Sequence, residues 1–277
     1  MRSLISYSLS EIKNQIIYYI IDKNRPVGYP DDSATNIRKV IRDTGARIIP
    51  IIDRGNKKLL GIIDRGDILL ISSTKTNATA SSIMISPRIT LNENENVIDS
   101  LNSIIKYDEW DVPIVNNNVY IGLLSIGDII KLLITKTESM LKKEVAENYM
   151  TKNPITVKED DHISKIWNKM IELKYAGFPV VNEKLRLLGI ITQFDLIKKG
   201  YTRIHLESES GTSKGPRVRD AMSYTVRYAY PWSSLHEISK IMLDFGYGRI
   251  PIVENENDKK VIGIIDREDV AKILIKR

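Results

Sequence analysis

The chain has 277 residues, a formal net charge of +6 and 42% hydrophobic content, enough apolar material for one large core or two ordinary ones. It contains no cysteine, which excludes disulfides and thiolate metal sites, and three histidines, His162, His205 and His236, too scattered for a metal cluster. Its 41 basic and 35 acidic residues are interspersed, so they read first as a solvated surface of both signs and only second as a face for a polyanion.

Residues 1–25 predict a helix capped by Ser8 or Ser10, with Glu11 in its first turn, Ile12, Ile16, Ile17 and Ile20 on one face, and a stop at Arg25-Pro26. The start lacks a long apolar core followed by a small-residue cleavage site, and no apolar run reaches the ~18 residues of a membrane span. A cytoplasmic protein with no membrane contact is therefore expected.

From there the chain repeats one unit four times. An extended piece comes first: Pro26-Val27, then Pro87 to Thr90, Pro154 to Val157, and Tyr224 to Val226. An amphipathic helix follows, with stripes Ile37, Val40, Ile41; Val97, Leu101, Ile104; Ile163, Ile166, Met170; and Leu235, Ile238, Ile241. Caps stand before each: Asp31 to Ser33, Asn94 to Asn96, Asp160 with Asp161, and Ser233 with Ser234. Two short apolar runs joined by a turn come next, and a second helix closes the unit. Pro50, Pro113, Pro179 and Pro251 open the first run. Gly61, Gly122, Gly189 and Gly263 stand in the second, each six residues before Asp67, Asp128, Asp195 and Asp269. The prolines lie 63, 66 and 72 residues apart, a spacing that makes repetition the organising fact of the chain.

The predicted class is thus α/β (α+β) in β-α-β-β-α units. One unit alone leaves a sheet face bare, so two should pair. The segments are 1–25, unit 1 at 26–73, unit 2 at 80–134, a helical linker at 135–147, unit 3 at 148–200, a mobile linker at 201–215, and unit 4 at 216–277. The stretch from Thr202 to Arg217 is read as a linker, with a lid or a partner contact as the functional alternative.

The chemistry concentrates where the second strand turns into the second helix. Thr192 three residues before Asp195 makes a capping box, as do Ser125 and Asp128. The same turn aims free amides at one spot, which suits an anion, and a carboxylate one turn in can accept from sugar hydroxyls. In units 1 and 4 Asp64 and Asp266 replace the hydroxyl. Two acids there discourage a phosphate, yet Arg47, Arg65, Arg249 and Arg267 stand nearby and suit phosphate bidentately. Acids Glu109 and Asp111 precede Pro113 and repel phosphate, and Trp110 between them is either a packed aromatic or a platform for a base. Nothing suggests a catalytic pair, a nucleophile with a base, or a metal site.

Proline, hairpin, glycine and Thr/Ser-x-x-Asp together resemble the CBS (cystathionine-β-synthase) domain. The opening Met150 to Asp161 is similar to that family's first strand, and the resemblance covers about Ile20 to Leu274. Four motifs resemble two tandem Bateman modules, as in the gamma subunit of AMP-activated protein kinase. The resemblance implies a non-catalytic regulatory protein without a catalytic cofactor, binding adenosine-containing ligands: AMP, ADP, ATP or S-adenosylmethionine. It implies nucleotide contacts at Thr192 and Asp195, with Thr156, Val157, Gly177, Phe178 and Pro179 about the base. Arg249 and Asp269, Ser125 and Asp128, and Arg47 and Asp67 are the corresponding residues of the other units. It further implies a homodimer through helices and a regulated protein partner. A nucleic-acid-binding protein using the basic surface, and a scaffold with empty clefts, are the alternatives.

Overall fold

The computed structural model describes residues 15–70, 77–201 and 216–275. The connector at 202–215 and the expected caps Ser8 and Ser10 lie outside them. Residues 16–20 do not continue a helix. They form one 3-10 turn, Ile17–Tyr19, and a bridge from Ile16 to Asn96, which places Ile17 in the core.

In unit 1, helix α1 (Ala34–Thr44) starts at Ser33, whose hydroxyl accepts from the Asn36 amide, and stops at Gly45 with φ 72°. Strands β1 (Ile48–Ile52) and β2 (Leu59–Asp64) form a hairpin that feeds α2 (Arg65–Leu70). Unit 2 has β3 (Leu91–Asn92), α3 (Val97–Lys106), β4 (Asp111–Asn116), β5 (Val119–Ser125) and α4 (Ile126–Leu133). Unit 3 has β6 (Thr151–Lys152), β7 (Val157–Lys158), α5 (Ile163–Leu173), β8 (Gly177–Val181), β9 (Leu187–Thr192) and α6 (Gln193–Lys199). Unit 4 has α7 (Leu235–Asp244), β10 (Arg249–Val253), β11 (Val261–Asp266) and α8 (Arg267–Ile275). Asn96 and Ser234 cap α3 and α7 as expected, whereas α5 begins at His162 without a side-chain cap.

All four hairpins share one register. Pro50 faces Ile62, Pro113 faces Leu123, Pro179 faces Ile190 and Pro251 faces Ile264, and a bulge follows each time. The opening pieces run parallel to the first hairpin strand. In units 2 and 3 they are the two-residue strands β3 and β7, and in units 1 and 4 single bridges at Gly28 and Ala229. Pairing therefore falls beyond the expected pieces in units 1, 2 and 4, and only in unit 3 does it include an expected residue, Val157. The expected linker helix over 135–147 is only a turn at Glu138–Leu141 and a 3-10 turn at Ala146–Asn148. Its buried Leu141 and Ala146 are five residues apart, so no single helical face could bury both.

The packing is crossed. Sheet faces join units 1 and 2, where Ile48 and Ile62 meet Tyr120 and Leu123, and units 3 and 4, where Val181 meets Val253 and Val261. Helices join the two modules. Ile41 and Leu69 of unit 1 pack with Met170 and Leu196 of unit 3, and Leu101 and Ile130 of unit 2 with Met242 and Val270 of unit 4. The helical faces expected to drive dimerisation thus meet within one chain.

Candidate functional site

The four strand-to-helix turns are of two chemical kinds. In units 2 and 3 a hydroxyl leads. Thr192 Oγ1 donates to Asp195 Oδ2 at 2.6 Å and accepts from the Asp195 amide at 3.1 Å. Ser125 and Asp128 repeat this at 2.6 and 3.1 Å. In units 1 and 4 an acid leads. Asp64 accepts from the Asp67 amide at 2.8 Å, and Asp67 accepts from the Asp64 amide at 2.9 Å. Asp266 and Asp269 do the same at 3.1 and 2.9 Å. Each aspartate thus caps its helix as a hydroxyl would, but two carboxyls now share a half-buried turn. Burial, reinforced by the charge of Asp64, raises Asp67 to about 6; burial and the charge of Asp266 raise Asp269 to about 7.

The motif glycine lets a sister unit close over each turn. A Cβ on Gly61, Gly122 or Gly189 would come within 2.9, 2.8 or 2.7 Å of the main-chain oxygens of Ile85, Asp22 and Ser223, and one on Gly263 would strike the Met150 side chain. These neighbours belong to the segment that opens the other unit of the same module, which packs directly over each motif glycine. In unit 3 the cover is engaged: Ser223 Oγ donates to Asp195 Oδ1 at 3.0 Å. In unit 2 Arg25 lies 3.8 Å from Asp128 while its Nε holds Asp22 at 2.8 Å.

The acid-pair turns instead face a common space, a cavity of about 850 Å³ lined by all four units. That volume is in the range of small-molecule sites. Here the strand starts converge. Two residues before the last three prolines stand Asp111, Gly177 and Arg249, and three before Pro50 stands Arg47. Arg47 Nε is 3.4 Å from Asp111, and its guanidinium lies 4.2 Å from the Trp110 ring. Arg249 donates to the Gly177 carbonyl at 3.0 Å and lies 5.9 Å from the same ring. Burial raises the carboxyl of Asp111, with Arg47 drawing it back down. Arg65 donates to the carbonyls of Ala46, at 3.0 Å, and Gly45; burial and the charge of Arg47 lower it to about 10. Arg267 likewise donates to Tyr247 and Met242 carbonyls, at 3.0 and 3.2 Å. Among the described residues Arg65, Arg249 and Arg267 form no ion pair within 4.0 Å. Burial lowers all three, and the charge of Arg47 lowers them further.

Of the residues singled out in the sequence, Arg47, Asp67, Gly177, Phe178, Pro179 and Arg249 line this cavity. Thr192, Asp195, Ser125, Asp128, Thr156, Val157 and Asp269 do not. Val157 is buried and pairs with Val180, so its side chain belongs to the core. Trp110 is both things its sequence allowed, packed against the core and open to the cavity. Lining residues that the sequence did not single out include Arg88, Asp108, Lys174, Tyr175 and Glu268. Arg88 was legible as a lone cation in an opening piece; Tyr175, in the loop after α5, carried no signal.

A hairpin of fixed register, a glycine under a sister unit and a capped turn, four times over, define a tandem-repeat protein with clefts between paired units. The chain belongs to the CBS domain family, whose model matches residues 20–73, 80–135, 145–201 and 218–276. It is similar to MJ1225, an uncharacterized protein of Methanocaldococcus jannaschii, at 26% identity over 88% of this chain and 93% of that one. The crystal structure of MJ1225, proposed there as an archaeal homolog of γ-AMPK, superposes with a TM-score of 0.81 at 24% identity, covering 94% of this chain and 99% of that one. An uncharacterized conserved protein of Pyrococcus horikoshii superposes at 0.63 with 21% identity, covering 94% and 100%.

Proposed function

We propose that this protein is a non-catalytic sensor that binds an adenosine-containing ligand, AMP, ADP, ATP or S-adenosylmethionine, in its central cavity and passes the occupancy on to a protein partner. The observation that carries this reading is the cavity itself. Arginines Arg47 and Arg249 stand by one tryptophan ring, where they suit phosphate, and Asp64, Asp67 and Asp266 line the same cavity, where they suit ribose hydroxyls. Apolar walls at Ile48, Ile62 and Ile85 on one side, and Ile155, Leu173 and Pro179 on the other, suit a base. The likeness to MJ1225 supports a place among nucleotide-responsive regulators.

The cleft of Thr192 and Asp195, with Thr156 nearby, is the second place for such a ligand. A ribose there has to displace Ser223 from Asp195, so its affinity is the weaker one. A ligand touching all four units would favour one packing of the modules over another, and differential affinity for two packings is how occupancy shifts a partner's state. Calorimetry of protein stripped of nucleotide tests the reading. Saturable binding of an adenosine compound that the Arg47→Ala/Arg249→Ala double variant loses supports it, and absence of binding by every compound overturns it.

A further inference from the structure

We infer that the aromatic surface at the opening of unit 4, formed by Tyr228, Tyr230 and Trp232, docks a partner protein through an arginine side chain laid on the Trp232 ring. None of the three lines the central cavity, so this surface stands or falls apart from the ligand there. The repeat itself shows what such a surface takes. Units 1 and 4 open alike, with Tyr29-Pro30 and Tyr230-Pro231 following the bridges from Gly28 to Ile51 and from Ala229 to Ile252. In unit 1 the Arg54 guanidinium lies 3.8 Å from the Tyr29 ring centroid and donates to Asp31 at 3.2 and 3.3 Å. In unit 4 Asn255, four residues after Pro251 as Arg54 is after Pro50, replaces that arginine, and Trp232 replaces Asp31. Trp232 stacks on Tyr230 with centroids 5.0 Å apart and planes 5° from parallel, and Tyr230 meets Tyr228 edge-on at 5.9 Å. The stack holds the indole in place yet leaves it 62% exposed. An ordered aromatic face in water has little rotamer freedom left to lose on binding.

Charge selects the occupant. Lys259 already lies 5.3 Å from the Tyr228 ring, whereas among the described residues no cation stands over Trp232. Glu256 is within electrostatic reach of Tyr230, and the Glu147 amide donates to the Pro231 carbonyl at 2.9 Å, which brings a second acid to the same segment. Among the described residues neither acid forms an ion pair. A flat cation suits an indole flanked by unpaired carboxylates, and guanidinium stacks on such a ring better than the compact, strongly hydrated ammonium. The same acids disfavour any ligand that brings phosphates.

Fluorine NMR of the full-length chain labelled with fluorotryptophan tests this, because it carries only three tryptophans and Trp232→Phe assigns the signal in question. A capped glycine heptapeptide carrying three arginines is expected to shift the Trp232 signal saturably and to leave those of Trp110 and Trp167 in place. The lysine counterpart should bind about threefold or more weaker, and Glu256→Gln should weaken the arginine peptide about threefold. An unmoved Trp232 signal, or equal affinity for the two peptides, overturns the inference. So does a shift produced by single-stranded oligothymidylate in place of the peptide, or by concentrating the protein alone, which would make the occupant a nucleic acid or a second copy. The decisive titration uses the unaltered sequence, so a variant that fails to fold does not rescue the idea.

Discussion

The turns of units 1 and 4 and those of units 2 and 3 have one backbone and two chemistries. In all four a side chain three residues ahead caps the helix that carries the motif aspartate. With a hydroxyl in the lead, that aspartate is satisfied locally: Asp195 accepts from Thr192 and Ser223, and Asp128 from Ser125 with Arg25 beside it. With an acid in the lead, a second carboxyl stays in the turn; Arg47 acts on Asp64 and Asp266, and Arg249 and Lys272 on Asp266 and Asp269. The difference teaches that a motif match marks a cap reliably but does not mark the turn most open to a ligand. The pair departing from the family pattern is the pair that faces the shared cavity.

The largest test of this contrast is affinity. Replacing Arg47 and Arg249 together by alanine is expected to weaken ATP or AMP binding about 100-fold, from the loss of charge-assisted bonds worth roughly 1.5–3 kcal/mol each. Asp195→Ala is expected to cost about threefold or less in the same titration, and the opposite ranking would move the main site to unit 3. Next comes a feature common to both kinds of turn. Gly189→Ala and Gly61→Ala each drive a Cβ into a sister unit's main chain and should destabilise by ~1–3 kcal/mol in chemical denaturation. A neutral result at either would mean that the module halves are not closed there.

A pH test separates the two kinds. Asp269 is raised in the fold to about 7, so between its unfolded value near 4 and pH 7 the folded state holds the extra proton. Stability from this group is therefore full at acid pH and falls as pH rises toward 7. The groups about it are Asp266, Glu268, Lys272 and, on the neighbouring strand, Arg249. Asp269→Asn should raise stability at pH 8 by roughly 2 kcal/mol relative to pH 5, after allowance for solvent screening. A pH-independent difference between variant and parent would remove the acid-pair account. By the same sign, polyanion binding in the cavity should tighten as pH falls from 8 to 6. The smallest effect is local: Thr192→Ala removes one cap and should cost about 1 kcal/mol at all these pH values.

Much of this could be read before any coordinates. Ser33, Asn96 and Ser234 announce their helices because a cap is a contact across three residues. The repeated Pro and Gly announce the hairpins because register is set by the local pattern. The errors are equally local in cause. The linker at 135–147 looked helical by composition, but its helical turn stops at Leu141. The first helix was read through residue 25, yet Ile16 pairs with Asn96 and Asp22 with Leu123 instead. The site was half legible: Arg249 stood at a recognisable place two residues before Pro251 and Arg47 near an acid-led turn, whereas Tyr175 carried no mark.

The sequence by itself determined four units, their hairpins and caps, and the two kinds of turn, since all of these rest on interactions within a few residues. Which turns look into a common cavity was decided only by the tertiary structure. That choice follows from the crossed packing, in which sheets pair units 1 with 2 and 3 with 4 while helices pair 1 with 3 and 2 with 4. Burying every apolar face at once brings Arg47 and Arg249 onto one Trp110, and no local pattern encodes a meeting between residues so far apart in the chain.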